Sequence, residues 1–149
     1  MKYDKPFRFD IEADWIAGSE PAWRDILSMS SARGPIPNFD LLKPDLVAPG
    51  LNIFSAYAAP NAMGLMSGTT MAAAQVAGAA AIMKSVYPNW SPSAIQSALI
   101  MTAKAGTTRN HRGEDVTSPF EYGNGRLDLT QAALAGMVME ETPAKFRMA

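Results

Sequence analysis

The chain has 149 residues, a formal net charge of −1 and charged side chains at 18% of positions. This suits one soluble globular domain and gives no field that would draw in DNA or RNA. There is no cysteine, which excludes disulfides and thiolate chemistry, and the single histidine, His111, argues against a histidine-built metal site.

Residues 1–18 show no clear period, and FRFDI within them reads as a short strand or an irregular edge. Pro21 suits the first turn of a short helix, PAWRDILSM, with Trp23, Ile26 and Leu27 on one side. SSARGPIPNFDLLKP is rich in turn formers and reads as a loop. DLVAPG reads as a strand stopped by Pro49 and Gly50. LNIFSAY reads as a second strand, with Ile53, Ser55 and Tyr57 sharing a face. AAPNAMGLMSGTT then reads as a loop.

From Met71 to about Tyr87 the pattern is helical. Ala72, Val76, Ala79, Ala80 and Met83 recur at helical spacing on one face, and nearly the whole surface is apolar or small. Such a helix normally lies inside a larger structure. Gly78 weakens it, and close approach by another backbone is the expected return. Pro88 ends this helix. Ser91 caps the next, Pro92 fits its first turn, and Ile95, Ala98, Leu99 and Thr102 form its buried stripe. Trp90 reads as a packing anchor between the two. KAGTTRNHRGEDVTSP is a polar excursion. Phe120 and Tyr122 lead into an Asn124-Gly125 turn, read as a hairpin. Asp128 and Gln131 have capping-box spacing for a short helix ended by Gly136. The order is α/β.

The N-terminus lacks the apolar stretch of a signal peptide, so a chain made as written is expected to stay in the cytoplasm. MAAAQVAGAAAIM is too short to span a bilayer. A phosphate loop at SGTT fails for want of a lysine and correct glycine spacing. Glu114 and Asp115 are a weak cation pair. No cofactor, metal, nucleic acid or membrane partner is expected.

Five ordered blocks carry a resemblance. SARGP, LKPDLVAPG with LNIFSAY, MSGTTMAAAQVAGAAAIMKSVYP, NWSPSAIQSALIMTA and FEYGNGRLDLTQAA together resemble the C-terminal part of the catalytic domain of subtilisin-like serine proteases, the subtilases. The resemblance implies a partial subtilisin-like fold over residues 31–149, with residues 1–30 a leader of unclear relation. It implies a few mainly parallel strands, a central apolar helix and a C-terminal hairpin. It places the family's nucleophilic serine at Thr70, with Ser67, Gly68 and Thr69 shaping the approach to the oxyanion. Gly68 is expected to leave volume for a bound peptide.

The sequence departs from the family pattern at Thr70, at Ala74 where the motif has proline, and at Gln75 where it has histidine; SARGP carries Ala32 in place of a serine. A threonine methyl would crowd the attacked carbonyl and cost several powers of ten in rate. Ala74 and Gln75 would alter helix entry and buried polar contacts. No block matches the family's catalytic aspartate, histidine or oxyanion asparagine motifs, so a triad lacks its base. His111 reads as a solvated loop residue. Asp45, Asp115 and Asp128 have no spacing that demands catalysis.

Two functions follow. One is the nucleophile-bearing segment of a serine endopeptidase, inactive as this chain. The other is a catalytically dead structural or peptide-binding module, a truncated product or a designed chain, in which the Thr70 hydroxyl serves as a helix cap. The expected partners are a peptide, the remaining part of a protease domain, or further copies joined through open edges at DLVAPG and LNIFSAY.

Overall fold

The computed structural model describes residues 24–38, 42–56, 58, 62–116 and 118–140. FRFDI, Trp23 and Tyr57 lie outside the described residues. The element order is β1 (Ile53–Ala56), β2 (Met63–Met66), α1 (Thr69–Val86), α2 (Pro92–Met101), α3 (Pro119–Tyr122) and α4 (Leu129–Ala132).

Helix α1 runs for 18 residues, and its expected face is the inward one. Ala79 and Met83 are buried, and Val76 and Ala80 pack at the margin of the same cluster. Tyr87 ends the helix, its N–H still reaching the Met83 carbonyl at 2.8 Å before Pro88 prevents continuation. Ser91 caps α2 by accepting from the Ala94 N–H at 3.1 Å, with Pro92 in the first turn. Ile95, Ala98 and Leu99 then face α1, and Ala132 of α4 closes the cluster. Small residues at these positions let the helices approach closely, and among the described residues Met83 is the largest side chain that is fully buried. Between α1 and α2, Tyr87 and Trp90 stack with centroids 4.1 Å apart and planes 8° from parallel. The Tyr87 hydroxyl donates to the Ala133 carbonyl at 2.7 Å, tying the stack to the end of α4. Trp90 is therefore the packing anchor expected from the sequence.

The strand pattern differs from the expected mainly parallel one. Among the described residues the regular sheet is a two-stranded antiparallel hairpin, β1 against β2, with Phe54 opposite Leu65 and Ala56 opposite Met63. DLVAPG is not a strand. Only Val47 pairs, in an isolated parallel bridge to Arg126, because one short extended segment has one short neighbour. PAWRDILSM is not helical over its described part. Asp25 has a positive φ of 57° and Ile26 bridges in parallel to Arg109. The pairing with a distant segment outweighs a weak local pattern.

The expected closing hairpin is also replaced. PFEY forms the short helix α3, and Gly123 ends it at φ 63°. A Cβ on Gly123 would overlap the carbonyl oxygens of Pro44 and Asp45, so glycine is required on both counts. Arg126 then pairs in two directions, with Val47 and with Lys104. Helix α4 is capped as expected at Asp128, yet it ends at Ala133 rather than at Gly136. The Asp128 carboxylate accepts from the Thr130 hydroxyl at 2.6 Å and the Thr130 N–H at 2.9 Å. Those two bonds, the hydroxyl first, hold its pKa below the ordinary aspartate value.

Gly78 has no close backbone neighbour, contrary to expectation. A Cβ placed there meets nothing within 4 Å, because this side of α1 is exposed. Gly78→Ala is thus expected to stabilise the chain by about 0.5–1 kcal/mol through helix propensity alone. A denaturant midpoint that falls in this variant would show that the position is covered.

Candidate functional site

The site is the N-terminal turn of α1 and the loops against it. Gly68 is the N-cap, and its carbonyl accepts from the Met71 and Ala72 N–H groups at 3.1 and 3.4 Å. No side chain caps this end, so Thr70 does not serve as a cap. The amides of Thr69 and Thr70 lie too early in the helix to have helical acceptors. They sit at the positive end of the helix dipole, where negative charge is favoured. Thr69 and Thr70 are both exposed, so the Thr70 hydroxyl is presented to solvent at the helix start.

A loop upstream fixes this turn. The Gly68 N–H donates to the Gly50 carbonyl at 2.7 Å. The Ser67 hydroxyl accepts from the Asn52 N–H at 2.8 Å and donates to Asn52 Oδ1 at 3.4 Å. A side chain on Gly50 would press on the Gly68 carbonyl at 2.7 Å and on Ala72 Cβ at 3.1 Å. Gly50 and Asn52 are therefore site-shaping residues that sequence reading missed. Their only signal was the Pro49-Gly50 stop, which reads as a strand terminator and does not point to the helix. Gly68 itself has space: a Cβ there would make ordinary contacts, at 3.8 Å to Met71 Sδ and 3.9 Å to the Thr70 nitrogen. Its requirement for glycine is conformational, since φ 159° with ψ 164° is a region that other residues rarely enter.

The structure gathers Ser67, Gly68, Thr69 and Thr70, and it keeps the acids weighed from the sequence in other work. Asp45 pairs with Lys43 at 2.6 Å. Asp115 pairs with Arg109 at 3.6 Å, and Asp128 caps α4. His111 is exposed on a loop folded around Asn110, whose Oδ1 accepts from the Arg112 and Glu114 N–H groups. Ala74 and Gln75 are exposed on α1, so they make no buried polar contact of the kind expected. Among the described residues no three acidic or histidine side chains gather as a metal site, and no helix is long and apolar enough to cross a membrane.

Other blocks of the sequence converge on this end of the molecule. Arg33 of SARGP donates through Nε to Glu121 at 2.7 Å, and the Gly34 N–H donates to the Phe120 carbonyl at 2.9 Å. Asp45 accepts through its carbonyl from the Asn124 N–H at 3.0 Å. Three motifs far apart in sequence therefore form one contact network.

A family model described as the subtilase family matches residues 18–125. Curated relatives are subtilisin-like proteases of Arabidopsis thaliana. SBT1.6 is 36% identical over 148 residues, covering 85% of this chain and 19% of the relative. SBT1.5 is 38% identical over 148 residues, covering 84% of this chain and 18% of the relative. SBT4.3 is 41% identical over 127 residues, covering 74% of this chain and 17% of the relative. The chain thus spans about a fifth of the length of these relatives.

Proposed function

Because the chain belongs to the subtilase family, we propose that it is the nucleophile-bearing segment of a serine-type endopeptidase, with Thr70 at the nucleophile's position, and that the chain alone does not cleave peptide bonds. The observation that carries this reading is the geometry at Thr70. A hydroxyl is presented at the second residue of a long helix, beside amides that have no helical acceptor. A tetrahedral oxyanion formed there would accept from the residue's own N–H.

Half of the chemistry is missing. A hydroxyl nucleophile needs a base to take its proton. The only imidazole in the sequence is His111, which is solvated in the 107–116 loop. Among the described residues, Asp25 pairs with Arg126, Asp45 with Lys43 and Asp115 with Arg109, and Asp128 caps α4. Dipole and amides would stabilise an intermediate that no base among the described residues helps to form.

The test is product release from a mixed fluorogenic peptide panel between pH 7 and 9. No turnover is expected from the wild-type chain. Thr70→Ser is expected to remain inactive, since it removes a crowding methyl and supplies nothing else of the triad. Turnover abolished by Thr70→Ala would overturn the inactivity, because it would trace catalysis to this hydroxyl.

A further inference from the structure

Asn124 is the one asparagine of the six in the sequence that is followed by glycine. An asparagine side-chain amide can be attacked by the backbone nitrogen of the next residue, and glycine has no side chain to obstruct the approach. The structure closes this pair into a clasp. The Asn124 N–H and Nδ2 both donate to the Asp45 carbonyl, at 3.0 and 3.1 Å. The Gly125 N–H donates to the Tyr122 carbonyl at 3.1 Å, and Gly125 is buried although Asn124 is exposed. The attacking nitrogen is thus covered by an acceptor, and the side chain it would attack is held on another segment.

Backbone packs against the clasp from two sides. On one, the Val47 N–H donates to the Gly125 carbonyl at 2.9 Å, and the Val47 carbonyl accepts from the Leu127 N–H at 2.8 Å. On the other, Lys104 and Arg126 exchange backbone bonds at 2.8 and 3.0 Å. A Cβ on Gly125 would overlap the Lys104 carbonyl, and one on Gly123 would overlap those of Pro44 and Asp45. An extra main-chain atom has no room here. The closing segment is nevertheless lightly held. Val47 makes a single isolated bridge, and the Lys43–Asp45 ion pair beside it is partly open to solvent, where such pairs contribute little. A segment held in this way opens locally while the helix cluster stays folded. Three residues beyond Val47, the Gly50 carbonyl accepts the Gly68 N–H at 2.7 Å, so the same segment fixes the N-cap of α1.

We propose that Asn124 is a site of spontaneous deamidation gated by this clasp, and that the modification, once made, keeps the clasp open. When the Asp45 segment withdraws, hydroxide takes the Gly125 N–H proton and the nitrogen attacks Asn124 Cγ. The Cγ–Nδ2 bond breaks, the leaving nitrogen takes a proton from water and departs as ammonia, and a five-membered succinimide remains. Water then opens the ring. Opening at Cγ gives aspartate, and opening at the backbone carbonyl gives isoaspartate. The net change is asparagine and water to the acid and ammonia, with no other reactant. Aspartate sets a carboxylate oxygen against the Asp45 carbonyl, acceptor against acceptor. Isoaspartate loses the same donor and adds a carbon to the main chain, where Lys104, Pro44 and Asp45 leave no space. Either product frees the segment from Asp45 to Val47 and slackens the hold of Gly50 on Gly68. The clasp and its chemistry are independent of any catalytic role for Thr70.

The experiment incubates the full chain at one mildly alkaline pH, folded in buffer and unfolded in urea. Peptide-mapping mass spectrometry follows each asparagine, and enzymatic methylation of isoaspartate identifies the second product. In urea, Asn124 is expected to convert before the other five asparagines. In buffer its conversion is expected to be slower by about ten-fold or more, because only the open clasp reacts. Asn124→Asp supplies the direct product without the wait. In that variant, amide hydrogen exchange by NMR is expected to quicken by about five-fold or more at Val47, Leu127 and Gly68, the worth of one neutral hydrogen bond. Exchange at Leu99 of α2 is expected to stay as it was. Any of four results would overturn the proposal. They are equal conversion of Asn124 in buffer and urea, earlier conversion of another asparagine in urea, unchanged exchange at Val47 and Gly68 in Asn124→Asp, and equal quickening at Leu99. The last would show global unfolding in place of a local clasp.

Discussion

Met83→Ala is expected to abolish cooperative unfolding of this chain. Among the described residues Met83 is the largest fully buried side chain, at 1% exposure, and it sits where α1, α2 and α4 meet. Its neighbours in the cluster are Ala79, Ile95, Ala98, Leu99 and Ala132. Three of those five are alanines, with little side chain to move into a void. Truncating a buried methionine costs about 2–5 kcal/mol, and the upper part of that range applies where the site cannot collapse. A whole domain has only about 5–15 kcal/mol to lose. Among the described residues the buried apolar side chains are few and small, so the loss of one is a large share of what they contribute. Met83→Leu conserves the volume and is expected to cost under about 1.5 kcal/mol. Thermal unfolding followed by circular dichroism separates the two. A sharp transition retained in Met83→Ala, shifted by only a few degrees, would mean that stability resides outside the helix cluster.

The two long helices and strand β1, which falls within LNIFSAY, were legible in the sequence; β2, α3 and the isolated bridges were not, for identifiable reasons. The face of α1 shows through its spacing of alanine, valine and methionine, and its end through Pro88. Ser91-Pro92 and Asp128 act within a few residues of themselves, so their chemistry is readable locally, and both caps are where the letters place them. Strand β2 was missed because MGLM has no alternation to read. Its pairing is set by β1, and the letters between them carry no short hairpin signal such as Asn-Gly. DLVAPG and PAWRDILSM failed in the opposite way. Their apolar letters promise regular elements, but Val47 and Ile26 each find one distant partner and no more. Such a result depends on residues 126 and 109, which no local pattern includes. The site divides along the same line. The family motif points to Thr70, Gly68 and Thr69. The staple from Gly50 and Asn52 is a tertiary fact. Open space around Gly68 and exposure of Gln75 likewise follow from what packs nearby and not from the motif.

Self-association is the second large effect expected, and the structure relocates its cause. The sequence assigned it to open edges at DLVAPG and LNIFSAY; the hairpin offers a more direct surface. Side chains on paired strands alternate faces, so Phe54 and Leu65 share one face with Ala56 and Met63. Phe54 is 59% exposed, Leu65 63% and Met63 45%. These are a contiguous apolar patch with no charge in it, on a two-stranded sheet too small to be stable without cover. Met66, on the opposite face, is 45% exposed as well. A second copy laid on the Phe54–Leu65 face would cover both patches at once, which is the arrangement a two-fold dimer favours. Wild-type chain is therefore expected to run in size-exclusion chromatography with light scattering at a mass above its 16.0 kDa. Phe54→Lys combined with Leu65→Glu replaces the central contact by a directly opposed charge pair. That pair costs the hairpin little and gives the patch a hydration shell. The double variant is expected to elute as a monomer with its circular dichroism unchanged. If the wild-type chain is a 16.0 kDa monomer across the soluble concentration range, the hairpin does not drive association. If instead the double variant associates as strongly as the wild type, the surface responsible lies elsewhere, and exposed Leu134 with Met137 is the next to be charged.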